Sequence, residues 1–117
     1  YGSGPGYGFT KNSPMLPGYG DEEYISQVEK MLSVDFEKFK PEALLISAGF
    51  DAHVDDLMSD INLSTQCFTW MMKKMTEMAD RYSDGKLISV LEGGYALARL
   101  PELAKNHVEV LLNCERV

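Results

Sequence analysis

Histidine and cysteine are scarce in this chain, two of each, and its basic residues are outnumbered by acidic ones. Its two cysteines, Cys67 and Cys114, lie far apart in amphipathic stretches. That usage fits buried, reduced thiols in a cytosolic protein and excludes a disulfide scaffold. A two-cysteine metal site would need closer spacing or nearby histidines, and the sequence offers neither. No apolar run approaches the ~18 residues that mark a membrane span, and no charged-then-apolar leader opens the chain. The expectation is a cytoplasmic protein without membrane contact. The 11 Lys and Arg are outnumbered by 18 Asp and Glu, for a net charge of −7. With no basic cluster, nucleic acid is not expected as a direct partner. A cationic substrate, such as a lysine-bearing peptide or a polyamine, stays compatible with that charge. With His53 and His107 as the only histidines, no Ser/His/Asp or Cys/His arrangement is evident.

What is present reads as an ordinary globular composition, 44% hydrophobic and 25% charged over 117 residues, enough for one domain. Nine of the first 20 residues are Gly or Pro, so residues 1–20 are loop. A phosphate-cradling loop is not expected there, because such a loop follows a strand and opens a helix. Asp21 can cap a helix reaching about Phe39, with Glu22 and Glu23 at the positive end of its dipole. Tyr24, Val28, Met31 or Leu32, and Phe39 fall at helical spacing and would face a sheet. Pro41 stops that helix. The run Ala43 to Ala48 predicts a parallel strand covered on both faces. Ser64 caps a second helix to about Tyr82, whose stripe of Phe68, Met71 or Met72, Met75, Met78 or Ala79, and Tyr82 reads as a core face. Lys86 to Leu91 predicts a second strand. A last helix runs from about Leu100 to Asn113, burying Leu103, His107 or Val108, and Leu111.

The predicted order for residues 21–117 is therefore αβαβα, an α/β arrangement with parallel strands and right-handed crossover helices. Two strands are few for such a sheet, which normally has about five or six. The helices have too little sheet to cover. The chain reads as part of a larger domain, or as one completed by association.

Chemistry gathers where the two strands end, the usual ligand-binding edge of an open α/β sheet. The first strand runs into Gly49-Phe50-Asp51-Ala52-His53, and the loop after it carries Asp55, Asp56 and Asp60. A carboxylate at Asp51 can ligate a cation such as zinc, or cap a turn. The second strand runs into Glu92-Gly93-Gly94-Tyr95. The glycines let backbone pass close to a ligand. The Tyr95 phenol can donate to a developing oxyanion, or be a buried aromatic after a turn. Glu92 could orient that loop through hydrogen bonds.

Taken together, these segments resemble the zinc-dependent histone deacetylase family, with its bacterial acetylpolyamine and acetoin-utilisation relatives. The matching residues run from Ser47 to His53, then Asp56, Asn62-Leu63-Ser64 and Leu91 to Tyr95. The opening is similar too, at Gly4 to Phe9, Asn12, Pro14, Pro17-Gly18 and Gly20-Asp21. The resemblance implies the carboxyl-terminal part of a three-layer α/β/α, arginase-like deacetylase fold. It implies that Asp51 is a ligand to the catalytic zinc and that Tyr95 polarises the acetamide carbonyl. It places Gly93 and Gly94 along the acyl-lysine tunnel, Met58 at the tunnel wall, and Phe9 at a structural monovalent-cation site through its carbonyl.

Two departures matter. Where the family often has Gly-Asp-Pro-Leu-Gly-Gly, this chain reads Asp55-Asp56-Leu57-Met58-Ser59-Asp60, which alters the tunnel rim. Beyond Asp51-Ala52-His53 itself, no second Asp-x-His is present to match the family's other ligand motif, and its adjacent His-His pair occurs nowhere in these residues. The chain is similar to roughly the last third of the catalytic domain. The expectation is a fragment that hydrolyses acetyl-lysine or a related N-acetyl amide only when the preceding part of the domain is present. An acetylated lysine peptide or an acetylpolyamine would then be the substrate. The ligand types alone accept zinc, iron or cobalt. The alternative is a non-catalytic binding or assembly domain, self-association included. An upstream Asp-x-His and His-His pair in the same reading frame would favour the enzyme.

Overall fold

The computed structural model describes residues 1–113. The expectation for Cys114 therefore lies outside the described residues. Residues 1–20 form a surface loop with one 3-10 turn at Gly4–Gly6. Backbone bonds pin its end to the loop after the first strand: Gly18 N–H donates to the Asp60 carbonyl at 2.7 Å, and Asn62 N–H to the Tyr19 carbonyl at 2.8 Å.

Helix α1 spans Asp21–Met31. Gly20, not Asp21, is its cap, and the Gly20 N–H donates to the Glu23 carboxylate at 2.9 Å. Asp21 is displaced from that role because its carboxylate serves another helix. It accepts the Ser64 N–H at 2.8 Å and the Ser64 hydroxyl, while Ser64 Oγ caps α3 by accepting from the Cys67 N–H at 3.1 Å. Two helix starts are thus joined by one carboxylate and one hydroxyl.

After Met31 the helix widens into a π turn, Leu32–Phe36, before three further α-helical residues, Glu37–Phe39, labelled α2. This corrects the expectation for Phe39. An extra residue in a turn advances the apolar stripe by about 100°. Leu32 is buried, whereas Phe39 turns outward and is 66% exposed, meeting the ring of Phe9 edge-on.

Strand β1, Leu44–Ala48, pairs in parallel with β2, Leu87–Leu91, in the register Leu44 to Leu87 and Ala48 to Leu91. Helix α3, Thr65–Tyr82, connects them, and α4, Leu100–Leu112, follows. Buried Cys67, Met72, Thr76 and Ala79 form the inner face of α3, close to the stripe expected from spacing. Helix α4 buries Leu103 and leaves Val108 half exposed. His107 is the α4 residue that reaches the sheet, its Nε2 lying 2.9 Å from the Ser89 hydroxyl of β2.

Among the described residues the sheet has two strands, and one face of it is left uncovered. Leu45, Ile88 and Val90 point away from the helices and are 78%, 62% and 57% exposed. The strands are therefore not covered on both faces, contrary to their continuous apolar sequence. Helix α4 meets the other face, where His107 reaches Ser89.

Candidate active site

The carboxyl ends of β1 and β2 meet as the sequence placed them. The ladder continues past the strands: Glu92 N–H donates to the Ala48 carbonyl at 3.0 Å, and Phe50 N–H to the Gly93 carbonyl at 2.9 Å. Phe50 is buried and anchors this end, its ring packing against Phe68 of α3 at 5.4 Å and edge-on to His107 of α4 at 5.7 Å.

Asp51 sits half-buried between the two loops. A Cβ on either Gly49 or Gly93 would come within 2.8 Å of its Oδ1. In this rotamer the carboxylate occupies the space that side chains on both glycines would take, so a methyl at either position would displace it. Tyr24 of α1 is its less obvious neighbour. Burial, then the charges of Cys67 and Asp51, push the Tyr24 phenol above its ordinary value.

Gly94 has φ +139, and a Cβ there would meet Leu100 at 3.1 Å and Phe50 at 3.2 Å. Only glycine makes this turn without strain. It delivers Tyr95 to the rim, where the residue is 59% exposed rather than buried behind the turn. Met58 stands on the same rim, 70% exposed.

A buried side chain also joins the two loops, and the sequence alone assigns it no role. Asp56 is only 3% exposed. Its Oδ1 accepts the Met58 N–H at 2.9 Å, and its Oδ2 accepts the N–H groups of Tyr95 at 2.7 Å and Ala96 at 3.1 Å. Burial would raise this carboxyl's pKa. The three backbone donors, helped by His53, outweigh burial and hold it below the usual aspartate range. Glu92, expected to orient the loop, is exposed. Beside Asp56, Asp55 makes a surface ion pair with Arg99 at 2.6 Å.

His53 does not reach toward a ligand. It is 3% exposed, stacked on Phe68, with Nδ1 accepting the Asp55 N–H at 3.1 Å and Nε2 lying 3.1 Å from the Thr65 hydroxyl. Those bonds make it a structural histidine that ties the loop to the start of α3. Burial lowers the pKa of His107. Phe9 lies in the opening loop, against Phe39.

Among the described residues, no group of three or more His, Cys, Asp or Glu could hold a metal ion. The residues present therefore do not by themselves fit a zinc centre, which takes three protein ligands in catalytic sites. A groove of about 750 Å³ lies between α3 and α4 around Trp70 and Val110 and contains none of the strand-end residues. Of its four carboxylates, Glu77, Glu102 and Glu109 pair with Lys74, Arg99 and Lys105, and Asp80 is the fourth.

Comparison with known proteins fits this geometry. The family described as Histone deacetylase domain matches residues 1–111. A "Probable deacetylase" from Archaeoglobus fulgidus is 38% identical over 82% of this chain, which spans 27% of that protein's length. The solved histone deacetylase Clr3 superposes with a TM-score of 0.83 and 32% identity over 95% of this chain and 18% of its own. An acetylpolyamine aminohydrolase from Burkholderia pseudomallei superposes with a TM-score of 0.80 and 26% identity over 97% of this chain and 31% of its own.

Proposed function

Because the chain belongs to the histone deacetylase family, we propose that it is the carboxyl-terminal part of a deacetylase domain and contributes two groups to one site. Asp51 serves as one metal ligand. Tyr95 donates its phenolic proton in a hydrogen bond to the carbonyl oxygen of an N-acetyl amide as that oxygen becomes an oxyanion. Met58, Gly93 and Gly94 line the approach, with the glycines keeping the wall thin. The single observation that carries this reading is the joined rim: the Asp51 carboxylate occupies the space beside Gly93, and Tyr95 is fastened two residues further on.

A lone carboxylate cannot hold the metal, and these 117 residues contain no histidine pair to take a proton from water. The remaining ligands and the base would come from the preceding part of the domain. The substrate would be an acetylated lysine peptide or an acetylpolyamine, and the physiological metal would be zinc, located in the cytoplasm with the rest of the enzyme.

Joining the chain to the preceding segment of its own reading frame tests the proposal. The joined protein is expected to release acetate from an acetyl-lysine reporter or from an acetylated polyamine. Tyr95→Phe should then lower kcat by roughly 100- to 1,000-fold, the loss typical of removing one oxyanion donor. The 117 residues alone should turn over neither substrate. Turnover by the isolated chain that Tyr95→Phe abolishes would overturn the claim that the site is incomplete.

A further inference from the structure

We propose that Asp56 is the positioning residue for Tyr95: its buried carboxylate, by holding the Tyr95 and Ala96 N–H groups, fixes where the phenol stands on the rim. The inference rests on the reading of Tyr95 as the oxyanion donor.

The Tyr95 side chain is mostly in solvent, so packing does little to set its direction. Its placement must come from the backbone. On one side Gly94 turns the chain at φ +139. On the other, Ala96 leads into α4, with its carbonyl accepting the Arg99 and Leu100 N–H groups at 2.8 and 3.0 Å. Between these points, the N–H groups of Tyr95 and Ala96 both end on Asp56 Oδ2.

A simpler role for Asp56 would be a local turn, in which a side-chain oxygen accepts the N–H two residues on. Oδ1 does that, with Met58. The turn needs only one oxygen. The second bridges 39 and 40 residues of sequence to the other loop. One carboxylate therefore sets the spacing between Met58 on the wall and Tyr95 at the reacting carbonyl. The neighbouring Asp55–Arg99 pair spans the same two loops but is exposed on both sides, where an ion pair contributes little. Asn at position 56 could accept with its single oxygen on one side only, and its amide would point two donors at the other.

Two measurements test this. In the 117-residue chain, Asp56→Ala, which removes both acceptor oxygens, should speed amide exchange at Tyr95 and Ala96 by at least about tenfold, while Met72 and Thr76 inside α3 stay within about twofold. A general loss of stability would instead speed all four together, and that result, or no change at Tyr95, would overturn the inference. In the complete domain, Asp56→Ala should lower kcat with little change in KM, and Asp56→Glu should not restore it. In a Tyr95→Phe background the same substitution should cost almost nothing more, because it acts through the missing hydroxyl. Fully additive losses would show that Asp56 acts independently of Tyr95. If the complete domain deacetylates nothing, the reading of the site falls, and amide exchange still decides whether Asp56 holds Tyr95.

Discussion

At the scale of single residues, this site is shaped by what surrounds two carboxylates. Asp51 has space because Gly49 and Gly93 have no side chains. Asp56 is tolerated in the interior because three N–H groups face it, which offsets the cost of removing a charge from water. Gly93→Ala brings a methyl to 2.8 Å from Asp51 Oδ1 and 3.0 Å from its Cγ. Overpacking of this kind costs about 1–3 kcal/mol, measurable as a lower urea midpoint. The clash has one partner, so Gly93→Ala with Asp51→Ala should recover most of that loss. A double variant that merely adds the two single effects would mean the methyl is rejected by something else. Cys67 shows the opposite treatment of a polar group. Burial, then the charge of Asp21 and a hydrogen bond to it, push its thiol up to about 12, so it packs as a small apolar side chain. Asp51 and Tyr95 could be picked out of the sequence because each follows an apolar strand and a glycine. Asp56 could not, because its partners are backbone N–H groups 39 and 40 residues away, and a backbone donor has the same chemistry whichever residue carries it.

At the scale of elements, apolar periodicity located all four regular segments that frame the site, to within a residue or so at each end. It failed where geometry departs from 3.6 residues per turn. Nothing in Leu32–Phe36 marks a π turn, so Phe39 was assigned to the inner face by counting. The contact of α4 with the sheet was more legible, through His107 on the expected stripe. That contact carries a pH dependence. Burial lowers the His107 pKa from 6.5, so the folded state keeps this ring neutral where the unfolded chain protonates it. Below about pH 6.5 the unfolded state binds more protons, and stability falls as pH drops until the depressed folded value is passed; above that window the group contributes no slope. The carboxyls of Asp55, Asp56, Glu23 and Glu37 are lowered instead, so their contributions are lost only in more acidic solution. Urea midpoints at pH 7.5 and 5.5 isolate the histidine. His107→Gln, which retains a partner for Ser89, should flatten the decline between those two pH values. An unchanged decline would assign it elsewhere.

At the scale of the whole molecule, the decisive feature is the bare face of the sheet. Leu45 and Ile88 are register partners, side by side on that face, with Val90 two residues further along β2. Counting strands in the sequence already said that the sheet was too small for its helices. The continuous apolar runs said that both faces are meant to be covered. The two statements conflict for this chain alone and agree for a chain within a larger domain, and relatives several times longer fit that resolution. Magnitudes show why the face matters. Fully covering an aliphatic side chain is worth about 1.5–3 kcal/mol. Covering Leu45, Ile88 and Val90 would add several kcal/mol, set against the roughly 5–15 kcal/mol by which whole domains are stable. The isolated chain should therefore be marginal and should associate through this face as its concentration rises. Sedimentation velocity over a concentration series checks this against Leu45→Lys with Ile88→Lys, two changes that leave the helix-facing side chains untouched. The double variant should stay monomeric where the parent chain grows, with near-equal helix content by circular dichroism. It should also fail to be activated by the preceding part of the domain, because the charges now occupy the face which that part would cover. Retained association together with retained activation would show that the chain meets its complement elsewhere, most directly along the two open edges of the strands.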